Sequence, residues 1–136
     1  MVNKAAIAAD LPVLPGEDAW TEEEVAEVRA ELESDLVRHQ QNIAQVESEL
    51  REMLDDETTT GDAADVGSAN FERDHEMSVA ANAKVMLQQT QLALEAIDNG
   101  TYGRCTECGE PLGKGRLQVY PRATLCMSCK QRQERR

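Results

Sequence analysis

From Leu32 the apolar positions run Leu32, Leu36, His39, Ile43, Val46, Leu50 and Met53, spaced alternately by four and three residues. That alternation is the pattern of a helix burying one stripe against another helix, with His39 its single polar member. Val25 and Val28 extend the stripe upstream with a small phase slip. Ahead of them, Thr21-Glu22-Glu23-Glu24 has the spacing of a capping box, in which the Thr21 hydroxyl and the Glu24 carboxylate each satisfy the other's backbone amide. Trp20 stands where a hydrophobic staple onto Val25 belongs. Three acidic residues in the first turn suit the positive end of the helix dipole. A helix from about residue 22 to 54 would be about 50 Å long.

The pattern stops at Asp55-Asp56-Glu57-Thr58-Thr59-Thr60-Gly61. Successive threonines and a glycine disfavour helix, and the acids oppose its negative end. The tip of a hairpin is therefore expected near residues 55–67. Apolar positions resume as Phe71, Val79, Ala83, Met86, Leu87, Thr90, Leu94 and Ile97, rich in alanine and suited to close helix approach. Asp98-Asn99-Gly100 then closes the second helix, since Asn and Gly accept the left-handed conformation there. Residues 1–20, broken by Pro12, Pro15 and Gly16 and without periodicity, read as a flexible arm. The expected fold is all-α: a long antiparallel coiled-coil hairpin over residues 21–98, with a small module over 99–136 that ends in a short helix.

Charge sharpens this division. The net charge is −12, but residues 1–100 carry 23 acidic and 6 basic side chains, and residues 101–136 carry 3 and 8. An acidic body repels a phosphate backbone, so sequence-specific DNA binding is not expected, and a protein partner with a basic surface is. One Phe, one Trp and two Tyr are too few for a large globular core but enough for a narrow helical seam. No run approaches the ~20 apolar residues of a membrane span, and the stretch at Ala5–Ala9 is too short for a secretory signal. A cytoplasmic protein is expected, in which cysteines are reduced and favour metal over disulfides.

Cys105-Thr106-Glu107-Cys108 and Cys126-Met127-Ser128-Cys129 form two Cys-x-x-Cys pairs separated by seventeen residues. Two such turns can aim four thiolates at one ion and complete a tetrahedral site. Gly109 suits the sharp turn that brings backbone amides toward sulfur. A module of 36 residues buries little apolar surface, so metal binding would supply its folding energy. With no position left for water, the zinc, one ion, is structural rather than hydrolytic. An iron site of the same spacing is the rival chemistry, and zinc loss on thiol oxidation would be an added property. His39 and His75 lie in the helices, far along the chain from this cluster, and are not expected to be ligands.

These features together resemble the DksA/TraR zinc-finger family. The resemblance rests on Ile97, Gly100, Tyr102-Gly103, Cys105, Cys108-Gly109, Leu112, Arg116-Leu117, Pro121, Ala123, Cys126 and Cys129, and on the hairpin before them, over residues 21–130. It implies a regulator of transcription that binds RNA polymerase rather than promoter DNA, is not an enzyme, and inserts its coiled-coil tip in the polymerase's secondary channel. The family's tip motif, Asp-x-x-Asp-x-Ala, falls on Asp62-Ala63-Ala64-Asp65-Val66-Gly67, with both acids in place and Gly67 where the alanine stands. The same two acids read locally as the N-cap and first turn of the second helix.

The resemblance also bears on ppGpp, which in responsive members is held partly by basic residues of the coil base and finger. Here Gln89 and Tyr120 fall at two of those places and Lys130 at a third. Fewer cations should weaken the hold on so anionic a ligand, so a weak or absent ppGpp response is expected. Arg116, Arg122 and Lys130 are the candidate contacts to polymerase or ppGpp. A monomer is expected. The rival reading is a zinc-stabilised coiled-coil adaptor whose seam pairs with a helix of another protein.

Overall fold

The computed structural model describes residues 8–56 and 63–135, without the side chains of residue 56 and residues 63–69. Its helices are α1, Glu22–Asp56; α2, Ala63–Asn99; α3, Lys114–Val119; and α4, Met127–Glu134, with a helical turn at residues 8–10 ahead of them. An isolated antiparallel bridge, Arg104 to Pro111, is the β pairing among the described residues. The expected all-α hairpin with a small four-cysteine module and a short last helix is the fold observed.

The ends of the long helices form for the reasons the sequence gives. The Glu24 amide donates to Thr21 Oγ1 at 3.1 Å, and the Thr21 amide donates to Glu24 Oε1 at 3.0 Å, so the capping box is reciprocal. At the end of α2, Gly100 takes φ 75°. The Thr101 amide then reaches Ala96 O at 2.9 Å and the Gly100 amide reaches Ile97 O at 3.3 Å. This double closure satisfies carbonyls that a helix end otherwise leaves open.

The chain divides into two compact units, Met1–Asp35 with Gln89–Arg136, and Leu36–Gln88. The base of the hairpin thus belongs with the cysteine module. In the first unit a single apolar cluster gathers Leu11 and Trp20, Val28 and Leu32 of α1, Ala93 and Ile97 of α2, Leu117 of α3, and Tyr102, Cys105, Leu112 and Cys129. Trp20 and Tyr102 stack tilted at 6.3 Å between centroids. The buried Tyr102 hydroxyl donates to Pro121 O at 2.6 Å, which meets the requirement that a buried polar group be bonded.

The reading of residues 1–20 as a loose arm is corrected over residues 8–20. Ala8, Leu11 and Trp20 are buried, and Val13 packs against the same cluster. Glu17 acts as a cap for α3 from far along the chain: its carboxylate accepts from the amides of Lys114 at 2.9 Å and Gly115 at 3.0 Å. The prolines that argued against regular structure do not argue against packing. Residues 1–7 lie outside the described residues.

In the second unit the first seam is as expected: His39 and Val46 are buried, and Ile43, Leu50 and Met53 are half-buried. The second seam is corrected. Phe71 is 77% exposed and Val79 is exposed too, whereas Ala80 and Ala83 are buried and Arg73, Glu76 and Leu87 are half-buried. Positions 73, 76, 80, 83 and 87 alternate by three and four, so alanines and polar residues hold the inner stripe up to Leu87, and Phe71 and Val79 stand outside it. Lys84 Nζ pairs with Glu47 Oε1 at 3.3 Å, and burial, together with the Glu49 carboxyl, raises Glu76 above its ordinary value.

Candidate metal centre

Local chain geometry brings the two Cys-x-x-Cys pairs together. After Tyr102 the backbone doubles back: the Leu112 amide reaches Gly103 O at 2.8 Å, and the Cys105 amide reaches Glu110 O at 2.9 Å. Gly109, at φ 76°, allows the tight turn that L side chains resist. The two pairs are stitched by Thr106, whose amide and hydroxyl both donate to Thr124 O, at 2.9 and 3.2 Å. Cys126 then caps α4, its sulfur accepting from the Cys129 amide at 3.4 Å.

The Sγ atoms of Cys105, Cys108, Cys126 and Cys129 all lie within 4.8 Å of one another. Cys108 Sγ and Cys126 Sγ are 3.7 Å apart. Sulfurs about 2.3 Å from a central ion at tetrahedral angles stand about 3.8 Å apart, so the spacing fits a four-thiolate zinc site. Burial and the neighbouring thiols push Cys129 up to about 12. At Cys105 burial also raises the pKa, but the amides of Cys108, Cys126 and Glu107 outweigh it and hold the thiol at about 6. Side by side, such thiols resist full ionisation. A divalent cation reverses that balance and makes all four thiolates.

Three residues of this unit, Arg132, Glu17 and Lys114, were not singled out by sequence reasoning, and the first of them touches a sulfur. Arg132 Nη2 donates to Cys129 Sγ at 3.1 Å. Its place three residues after the last cysteine, on the same helical face, was the available signal. Lys114 pairs with Glu24 Oε1 at 2.7 Å and lies 5.9 Å from the centre of the Trp20 ring. Those donors hold the Glu24 carboxyl at about 2, the Lys114 ammonium first and the Thr21 amide next. Glu17 and Lys114 carried no motif, which is why the arm's attachment was illegible.

The other candidates are scattered. Arg116 is half-buried, and its guanidinium donates to Leu125 O at 3.2 Å and Met127 Sδ at 3.0 Å, bracing the loop that carries Cys126. Arg122 lies over the Tyr120 ring at 5.1 Å. Lys130 is exposed on α4, Gln89 is half-buried, and Tyr120 is exposed. Asp62 lies outside the described residues. Asp65 and Gly67 lie on the first turns of α2, the Asp65 side chain outside the description.

A helical hairpin joined to a four-cysteine knuckle defines a narrow class of protein, and the comparisons with known proteins place the chain within it. The prokaryotic dksA/traR C4-type zinc finger matches residues 100–135. The RNA polymerase-binding transcription factor DksA of Caulobacter vibrioides is 35% identical over 75 residues, 55% of this chain and 53% of that protein. The chain thus matches about half the length of those relatives. The protein of the same name from Escherichia coli K12 is 26% identical over 116 residues, 85% of this chain and 75% of that one. The structure of transcription factor DksA2 from Pseudomonas aeruginosa superimposes with a TM-score of 0.67 at 33% identity, covering 84% of this chain and 85% of that one. The chain belongs to the DksA/TraR family, and its four cysteines form the site of one structural zinc ion.

Proposed function

We propose that the chain regulates transcription by binding RNA polymerase directly, presenting the segment that joins α1 to α2 in the secondary channel, without catalysing a reaction of its own. The observation that carries this reading is the extent of the likeness to DksA2, which spans hairpin and finger together rather than the finger alone. The relatives' name, RNA polymerase-binding transcription factor, gives the partner. The acids Asp62 and Asp65, close in sequence to the start of α2, supply the negative charge that a partner's basic residues would meet. With four thiolates on one ion and no position left for water, the metal's part is structural. Among the described residues no helix is long and apolar enough to cross a membrane, which suits a cytoplasmic partner.

Lys130 and Arg122 are proposed as the finger's contacts, while Arg116 serves the Cys126 loop first. Gln89 and Tyr120, both uncharged, support a weak or absent ppGpp response. Promoter assays with and without ppGpp test that part, and synergy as strong as that of responsive members refutes it.

The central test is binding to purified core polymerase with in vitro transcription read alongside. Wild type should bind and change transcription, while Asp62→Asn/Asp65→Asn binds and leaves transcription unchanged. Absence of binding to any bacterial polymerase from a related source removes the reading. A second reading, a coiled-coil adaptor, draws on the exposed Phe71 and Val85 of α2. It requires a helical partner along that face and indifference to Asp62 and Asp65, and light scattering separates a self-paired dimer from a monomeric hairpin.

A further inference from the structure

We infer that Arg132 is the outer-sphere partner of the zinc site, a positioning residue that holds the Cys129 thiolate and sets how firmly the chain retains its metal.

Arg132 lies on the helix that begins with the second cysteine pair, three residues after Cys129, and its Nη2 donates to Cys129 Sγ at 3.1 Å. Four thiolates around a divalent ion carry a net charge of −2, because the ligands exceed the metal by two. A guanidinium in contact with one sulfur offsets half of that excess, and the bond between a cation and a thiolate is of the charge-assisted kind. Among the other sulfurs, Cys126 accepts from a backbone donor, the Cys129 amide at 3.4 Å. At Cys129 the donor is a side chain, so this is the position where a substitution can change metal retention without disturbing the knuckle backbone.

The setting of Arg132 points the same way. A recess of about 300 Å³ opens beside the cluster, lined by Glu107, Cys108, Leu125, Cys129, Arg132 and Gln133. Cys108 is exposed while Cys105 and Cys129 are buried. Cys108 therefore faces solvent, the recess reaches from it to the buried Cys129, and a competing chelator would approach there. Arg132 stands on the rim of that recess. Its planar fork fixes the direction of the bond to sulfur, which a flexible lysine ammonium does less well. Outer partners of metal ligands elsewhere change affinity by about 10–100-fold when removed. None of this depends on what protein the chain binds.

The test is zinc affinity of the full chain, measured by competition with a chromophoric chelator, for wild type, Arg132→Gln, Arg132→Lys and Arg135→Gln. Arg132→Gln should bind zinc about tenfold or more weakly and release it faster to excess chelator. Arg132→Lys should fall between it and wild type. Arg135→Gln removes a charge from the end of the same helix and should leave both quantities unchanged. Three results overturn the inference: Arg132→Gln indistinguishable from wild type, Arg135→Gln as impaired as Arg132→Gln, or Arg132→Gln remaining unfolded by circular dichroism at saturating zinc. The last would assign Arg132 to helix stability rather than to the metal.

Discussion

In the unit of residues 1–35 and 89–136, side chains converge from the N-terminal arm, two helix ends, a short helix and two cysteine turns. Among the described residues of the unit 36–88 they meet from two helices. The first can surround a tryptophan, a tyrosine and a leucine completely. Among the described residues the second has no third layer, so its inner stripe is filled by Ala80, Ala83, Val46 and His39, and Phe71 stands in solvent. The number of directions from which a position is covered, and not its hydrophobicity alone, decides what is buried. A metal can substitute for missing directions, and here it serves the unit that already has the most, because that unit is built from the shortest elements.

The largest expected effect is removal of that metal. Structural zinc contributes roughly 10–16 kcal/mol in small zinc peptides, far more than any single packed side chain. Trp20 is the chain's one tryptophan and lies buried in the cluster that includes Cys105 and Cys129. Chelation should therefore shift Trp20 emission to the red, while far-UV circular dichroism keeps much of the signal of residues 36–88. Emission that stays unshifted after complete zinc removal would mean that the arm and helix bases pack without the finger, and the contrast between the units would fail.

Next come single core truncations. Leu32 and Leu117 are fully buried in the first unit. Leu32→Ala or Leu117→Ala should each cost about 2–5 kcal/mol in chemical denaturation of the zinc-loaded protein. In the second unit Val85→Ala, at an exposed position, should change stability by about 0.5 kcal/mol or less. Ala80→Leu sharpens the contrast, because it forces volume into a seam closed by small residues and should cost about 1–3 kcal/mol. Equal costs for Leu117→Ala and Val85→Ala would show that the exposed stripe is covered in solution.

The same contrast explains what could be read from the sequence. The capping box at Thr21, the helix end at Gly100 and the four-thiol cluster were legible because each depends on residues close in sequence and on one kind of bond. The first seam was legible because all its members but His39 are large and apolar. The second was misread at Phe71 and Val79 because its true inner stripe passes through Arg73, Glu76 and two alanines, which carry little hydrophobic signal. The packing of residues 8–20 was illegible for a different reason. Glu17 meets Lys114 and Gly115 nearly a hundred residues on, and no local pattern encodes such a contact.

The smallest expected effects are in the response to pH, and the two units should respond with opposite sign. In the second, burial first and then the Glu49 carboxyl raise Glu76 above its ordinary 4.5, Glu72 adding to the rise and His75 opposing it. A raised acid favours the fold fully below its unfolded value and loses that advantage as pH rises through the folded one. In the first unit Glu24 is depressed to about 2 by Lys114 and the Thr21 amide. Its contribution is present above 4.5 and is lost as pH falls through about 2. Glu76→Gln should thus stabilise the chain at pH 7, with the gain fading as pH falls through the raised folded value and gone below 4.5. Glu24→Gln should destabilise it at pH 7, with the loss fading toward pH 2. Each variant is compared with wild type at the same pH in urea titrations, so that zinc release on acidification affects both members of the pair alike. If both variants shift stability in the same direction at pH 7, the carboxyls are answering to the net negative charge of the chain and not to their own partners.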